Sequence, residues 1–200
     1  LFNLSSGNSF FKITVAGAGG HGIFIEGNSD FNTFTDCNVL ETDGSGIRIE
    51  TGSTQNTFTY ADQDPFGTFN PNLYQTGAHG IHLSGGARRN SFKNVFIAGA
   101  GGSGIYLEDH AEENDFSKMI VKNPTLHGLH LSGSQVRFNR FNRHKYGKLS
   151  DREAAWDLED IFETAGGYGI LIDQGANANL VGPNQVYSNA LGGIRIDGTG

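Results

Sequence analysis

Gly104-Ile105-Tyr106-Leu107-Glu108 is one of seven copies of the same five-residue phrase. The others begin at Gly22 (GIFIE), Gly46 (GIRIE), Gly80 (GIHLS), Gly128 (GLHLS), Gly169 (GILID) and Gly193 (GIRID). Successive starts are 24, 34, 24, 24, 41 and 24 residues apart, a period of 24 with insertions of 10 and 17. A fixed period of this size marks a solenoid, in which each repeat buries its apolar face only against its neighbours.

A second phrase, Asn-x-Phe, recurs at Asn8/Phe10, Asn32/Phe34, Asn56/Phe58, Asn90/Phe92 and Asn114/Phe116. It returns one residue late as Asn139/Phe141 and weakened as Asn179/Val181. Alternating pairs follow the Phe at Ile13/Val15, Cys37/Val39, Val95/Ile97 and Met119/Val121, which predicts another strand. Each turn thus holds a Gly-Ile strand, a bend carrying Asn, an inward Phe and a further strand. By the period-2 rule the aliphatic residues of the Gly-Ile phrase point inward and those between them outward. Cys37 and Met119 fall at packing positions.

These seven Gly-[Ile/Leu]-x-[Ile/Leu] phrases and the Asn-x-Phe ladder resemble the right-handed parallel β-helix, the pectin-lyase-like family. The resemblance covers nearly all of the 200 residues and implies an all-β solenoid with rungs of ~24 residues. Leucine-rich repeats share the period but place Asn about three residues after the last strand leucine. Here Ile25 and Asn32 are seven apart.

Composition narrows the function classes. Glycine is 30 of 200 residues, about twice the ~7% norm, and repeated bends needing positive φ account for an excess of that kind. A formal charge of −7 argues against a general nucleic-acid binder. One cysteine excludes an internal disulfide framework. No apolar run approaches ~18 residues, so no membrane insertion is expected. No signal peptide is visible, but the chain begins at Leu1 without a methionine, so that does not bear on secretion. It starts and stops in mid-repeat without polar end caps, which reads as a single β-helix domain, 1–200, from a longer solenoid.

Two insertions, about 61–76 and 142–165, break the period. The first, ADQDPFGTFNPNLYQT, reads as an irregular loop whose Phe69 and Tyr74 are candidate sugar-binding aromatics. The second contains SDREAAWDLEDIFETA. A capping box at Ser150/Glu153 and an apolar face of Trp156, Leu158, Ile161 and Phe162 predict a short helix. Both are expected to enter after the second strand and before Gly-Ile, which would make them walls around the rungs between them.

The outward column of the Gly-Ile strands reads Phe24, Arg48, His82, Tyr106, His130, Leu171 and Arg195. The next reads Glu26, Glu50, Ser84, Glu108, Ser132, Asp173 and Asp197, and the one before the glycine His21, Ser45, His79, Ser103, His127, Tyr168 and Gly192. Five of seven histidines gather in one strip, a candidate cleft floor for a polysaccharide. Two chemistries fit. Elimination or epimerisation on a uronic-acid polymer needs a cation for the carboxylate (Arg48), a base (His82 or His130) and an acid (Tyr106). Glycoside hydrolysis needs two carboxylates. Glu50 and Glu108 are two rungs, ~9.6 Å, apart, against roughly 6.5–9.5 Å in inverting enzymes. His79 and His127 flank the strip as candidate substrate contacts.

The resemblance implies polysaccharide lyases, epimerases and hydrolases, and hence a secreted or surface-exposed protein. The epimerase motif Asp-Pro-His-Glu is absent, the nearest segment being Asp64-Pro65-Phe66-Gly67. The competing class is a non-catalytic rod, such as an adhesin or a tail-fibre-like shaft. No cofactor is expected. The His79/His82 and His127/His130 pairs lie two rungs apart, too far for a shared metal site, while calcium on surface acids is left open. Two G-x-G-x-x-G matches, at Gly17 and Gly99, lead into strands rather than helices and so fail as nucleotide sites. Six basic residues between Arg137 and Arg152 could grip an anionic polymer. Arg88, Arg89, Glu112, Glu113 and Arg137 instead form a charge ladder on successive rungs. Oligomeric state is not legible.

Overall fold

The computed structural model describes residues 1–61, 71–141, 160–182 and 184–198. Three parallel sheets of seven strands each run the length of the chain. One rung is a circuit through a Phe strand such as Thr33–Thr35, a middle strand such as Asn38–Thr42 and a Gly-Ile strand such as Ile47–Ile49. Each strand pairs in register with its equivalents above and below, as in Phe34↔Phe58↔Phe92 and Ile81↔Ile105↔Leu129. Parallel strands buried on one face need the next rung to cover them, and the fixed repeat supplies it. No helix occurs among the described residues, so none there is long and apolar enough to cross a membrane.

The interior is built in files. Phe10, Phe34, Phe58, Phe92, Phe116 and Phe141 stack nearly parallel, with ring centroids 4.5–4.9 Å apart. That spacing is set by the hydrogen-bonding distance between strands rather than by the rings. Val39, Leu73, Ile97, Val121 and Phe162 form the middle file, and the Gly-Ile aliphatics from Ile47 to Leu131 the third; all are fully buried. Cys37, Val95 and Met119 fill the corner between Phe and middle strands. In the third rung the neighbouring corner residue Tyr60 is buried and donates its hydroxyl proton to the Cys37 carbonyl, 2.6 Å.

The asparagines form a continuous ladder. Asn90 donates both its backbone N–H and its side-chain amide to Oδ1 of Asn114, at 2.9 and 3.1 Å. Its second amide proton goes to the Ser53 carbonyl. The same scheme links Asn8, Asn32, Asn56, Asn90, Asn114, Asn139 and Asn179. Each interior member uses its backbone N–H and both amide protons as donors and accepts twice at Oδ1, so a fully buried polar column is fully satisfied.

The glycine excess has a different cause from the one expected at its most regular position. None of the seven Gly-Ile glycines has positive φ. A Cβ on Gly104 would collide with Cγ1 of Val121 and sit 2.8 Å from the Gly128 carbonyl oxygen. The glycine is there because two sheets and the next rung converge on it. Many bends are turned by non-glycine residues in the left-handed region, Lys12, Asp36, Asn94 and Lys118 among them.

The insertions enter elsewhere than expected. Leu73–Thr76 is the middle strand of the third rung and Asp160–Glu163 that of the sixth. The inserted segments therefore run from Phe58 to Leu73 and from Phe141 to Phe162, leaving and re-entering at the corner between Phe and middle sheets. That corner does not border the Gly-Ile sheet, so the roots of the insertions do not wall the strip. The expected helix face is corrected in part: Ile161 and Phe162 belong to a strand, with Phe162 fully buried in the middle file. Ser150, Glu153, Trp156 and Leu158 lie outside the described residues.

Replacing Phe92 by Ala removes one ring from a file whose neighbours are pinned by the strands and cannot close the gap. Urea unfolding of this variant should show a loss of roughly 3–5 kcal/mol; an unchanged midpoint would contradict the burial.

Candidate functional site

The outward column of the Gly-Ile sheet is continuous in register: Phe24↔Arg48↔His82↔Tyr106↔His130↔Leu171↔Arg195. Rigid in-register strands hold these side chains one above another, so their spacing is set by the sheet and not by loops. The rings stack accordingly. Tyr106 lies 5.1 Å from His82 and 4.8 Å from His130, with His79 4.7 Å away on its flank.

The carboxylates of the neighbouring column reach diagonally. Glu108 accepts the Tyr106 hydroxyl proton at Oε2, 2.9 Å, and faces His82 Nε2 from Oε1, also 2.9 Å. A carboxylate that accepts from the phenol accepts from the imidazole too, so Nε2 of His82 carries the hydrogen. His130 Nε2 is held 3.1 Å from Asp173 Oδ2, and its Nδ1 has no hydrogen-bond partner among the described residues. Asp173 was legible as a member of the column one rung beyond His130 but not as this partner, because the column does not say which neighbour a side chain reaches. Arg48 is engaged by Glu50 through both Nε and a terminal nitrogen, at 2.7 and 2.6 Å.

The histidines beside the glycine form a third, alternating column. Nδ1 of His21, His79 and His127 accepts the backbone N–H of Ser45, Ser103 and Tyr168 on the following rung, at 2.9–3.0 Å. Each ring lies over a glycine of that rung, Gly44, Gly102 or Gly167, where a Cβ would come within 2.5–2.8 Å of Nδ1. The sequence signal is therefore a pair: histidine on one rung, and glycine one place earlier in the repeat on the next. An acceptor Nδ1 is unprotonated, so these rings are held neutral as the Nε2–H tautomer.

The electrostatics agree. Burial, with His82 and His130 nearby, pushes His79 down to about 4. His82, His127 and His21 are lowered too, each chiefly by burial. Burial and the bond to Glu108 push Tyr106 up to about 12. This keeps the phenol a hydrogen-bond donor at neutral pH and makes it a poor source of a transferable proton, which weakens its expected role as the acid. His82 is 6% exposed, its ring covered by its neighbours. His130 and Glu108 are more open to solvent.

Of the remaining expected site residues, Tyr74 is on the outer face of the middle sheet, in register with Leu40 and Ala98, and not on this strip. Phe69 lies outside the described residues. Glu50 and Glu108 are two rungs apart, as expected, and so are Glu108 and Asp173. No group of three or more His, Cys, Asp or Glu with the geometry to hold a metal occurs among the described residues.

Comparison with known families matches residues 1–97 to the model of the right-handed β-helix region. No curated protein and no solved structure shows a significant similarity to the chain.

The neutral histidines make stability depend on pH. Their folded pKa values lie below the ~6.5 of an unfolded chain, so the unfolded state binds more protons below that pH and stability falls as pH drops. The window runs from about 6.5 down to about 4, the value of His79. Urea midpoints should fall between pH 7 and pH 5, with His79 alone contributing on the order of 2 kcal/mol. His79→Ser, the residue that stands in this column at Ser45 and Ser103, should shrink the difference between the two pH values.

Proposed function

We propose that this right-handed parallel β-helix binds a polysaccharide along its Gly-Ile sheet and hydrolyses it over the rungs of Tyr106 and His130. The observation that carries the reading is the linked set His82–Glu108–Tyr106 beside His130–Asp173. Two acid–base groups stand on adjacent rungs, each oriented by a partner, on a flat and rigid face. A sugar ring is about one strand spacing long, ~4.8 Å, so a chain lying along the axis would present its linkages to the two rungs in turn.

Hydrolysis of a glycosidic bond needs a base for water and an acid for the leaving oxygen. Glu108, held as an acceptor by two donors, takes the proton from water. Asp173 accepts from His130 Nε2, so the protonated ring carries its second hydrogen on Nδ1; that proton goes to the leaving oxygen, and the ring is left neutral as the Nε2–H tautomer. Tyr106 and His82 position Glu108. Elimination on a uronic-acid polymer is less well supported, because the guanidinium it would need, Arg48, is already committed to Glu50. A non-catalytic rod offers no reason for a near-buried histidine to be held against a carboxylate on its outer face. A polymer substrate of this kind goes with an extracellular or surface location.

The test is a panel of purified polysaccharides read by reducing ends and by unsaturated-product absorbance. Reducing ends without unsaturated product are expected. Glu108→Gln and His130→Ala should each lower kcat by about 10²–10⁴-fold, the usual worth of an acid or base, while binding persists. If both variants turn over at the wild-type rate on a confirmed substrate, the assignment is wrong.

A further inference from the structure

The sign of the charge on the same sheet says more about what it binds. Its outward columns carry five carboxylates, Glu26, Glu50, Glu108, Asp173 and Asp197, against two guanidiniums, Arg48 and Arg195, and no lysine. Both guanidiniums are taken up within their own strands, Arg48 by Glu50 and Arg195 by Asp197 at 2.8 Å. Across the rungs from Ile81 to Asp173 no cationic side chain other than histidine faces outward on this sheet, while Glu108 and Asp173 do.

The histidines do not reverse the balance. His79 and His127 use Nδ1 as acceptors for backbone N–H groups and so are neutral by geometry. His82 is packed between the Tyr106 and His79 rings and shut off from water. Even with His130 protonated, carboxylates outnumber cations over the whole strip. The arginine-rich face lies elsewhere. Arg88 and Arg137 flank Glu112, and Arg89 pairs with Glu113, along the bends and bridges that lead into the Phe sheet.

We infer that the polymer held on the Gly-Ile sheet carries no carboxylate or sulfate groups: its sugars are uncharged or bear amines. The inference rests on the proposed polysaccharide site. An acidic polymer laid along this face would bring one negative charge per sugar past the carboxylates of Glu108 and Asp173, two rungs apart, with both arginines of the sheet already paired. Like-charge juxtaposition across an interface is a strong means of excluding a partner. A neutral sugar meets no such barrier, and the same two carboxylates favour the positive charge that develops on the sugar ring during hydrolysis.

The experiment measures binding of the full chain to a polyuronate, a neutral β-glucan and a partly deacetylated chitin, at 20 mM and 300 mM salt. Tyr106→Ala and Glu108→Ala, both checked for a wild-type circular dichroism spectrum and melting temperature, report whether binding is at the sheet. The neutral or amine-bearing polymer is expected to bind at least tenfold more tightly than the polyuronate at low salt, and at least one of the two variants should lose that affinity. A polyuronate that binds more tightly than the others, and is released by either variant, overturns the inference and leaves the polysaccharide site standing. If no polymer binds, or neither variant weakens any of them, the site itself is refuted and the inference falls with it. Polyuronate binding that ignores both variants belongs to the arginine-rich face and does not count against the inference, which is then decided by the other two polymers.

Discussion

The asparagine ladder is the constraint on which the rest of the structure depends. An amide side chain has one acceptor oxygen and two donor protons, and the backbone beside it adds a third donor. The column from Asn8 to Asn179 uses them in one repeating scheme along the axis. A shift of one residue on any rung would leave buried amides unpaired above and below it, at about 1–3 kcal/mol for each group left unsatisfied. Parallel strands with short, similar apolar faces specify register weakly on their own. The ladder removes that ambiguity, and the Phe file two residues further on follows from it. Where the bend before Asn139 carries one extra residue, the extra length is taken up in the bend and the ladder stays unbroken.

The same constraint explains where irregularity is admitted. Both insertions leave the solenoid at the corner between Phe and middle strands, after the asparagine and Phe have been set and before the middle strand begins. Insertion between the Gly-Ile strand and the next asparagine would separate the donors of one rung from the bend carbonyls they use, such as that of Ser53 for Asn90. The Phe–middle corner carries less of this bonding. In the third rung Tyr60 bonds there to the Cys37 carbonyl, with Asn94 donating back to the Tyr60 carbonyl.

Most of the architecture was legible because it is written seven times. Register, the Phe file, the inward aliphatics and the outward column of Arg48, His82, Tyr106 and His130 all follow from period and alternation. What was not legible is what happens once. The middle strands of the third and sixth rungs have their inward residues, Leu73 and Phe162, displaced by long insertions, so no local spacing marks them. Spacing alone therefore puts the insertions one strand too late and assigns Ile161 and Phe162 to a helix. The expected walls around the strip came from that error. The partners of the site residues were hidden for a related reason: sequence gives the rung of a carboxylate but not which neighbour its side chain reaches. Glu108 reaches back to His82, and Asp173 back to His130, a direction fixed by side-chain packing on the sheet.

That direction matters for how a solenoid face becomes a site. Elsewhere on the surface, opposite charges follow one another along the axis, as in Arg88, Glu112 and Arg137, and neutralise rung by rung. On the Gly-Ile sheet Glu108 and Asp173 are instead held by rings of the preceding rung or their own, His82 and Tyr106 for the one and His130 for the other. The flanking histidines His21, His79 and His127 are neutral through the backbone, each held as an acceptor by an N–H of the rung above, over a glycine that leaves it room. A backbone N–H that would otherwise be spent only on the fold thus sets a tautomer, and the flanking histidines add no cation beside Glu108 or Asp173. Charge that is fully paired can do little to a bound molecule, whereas charge held by neutral donors in a partly desolvated row can still act on one. The stacking that makes the fold possible is therefore also what leaves this face, and not the arginine ladder, with electrostatic work available for a substrate.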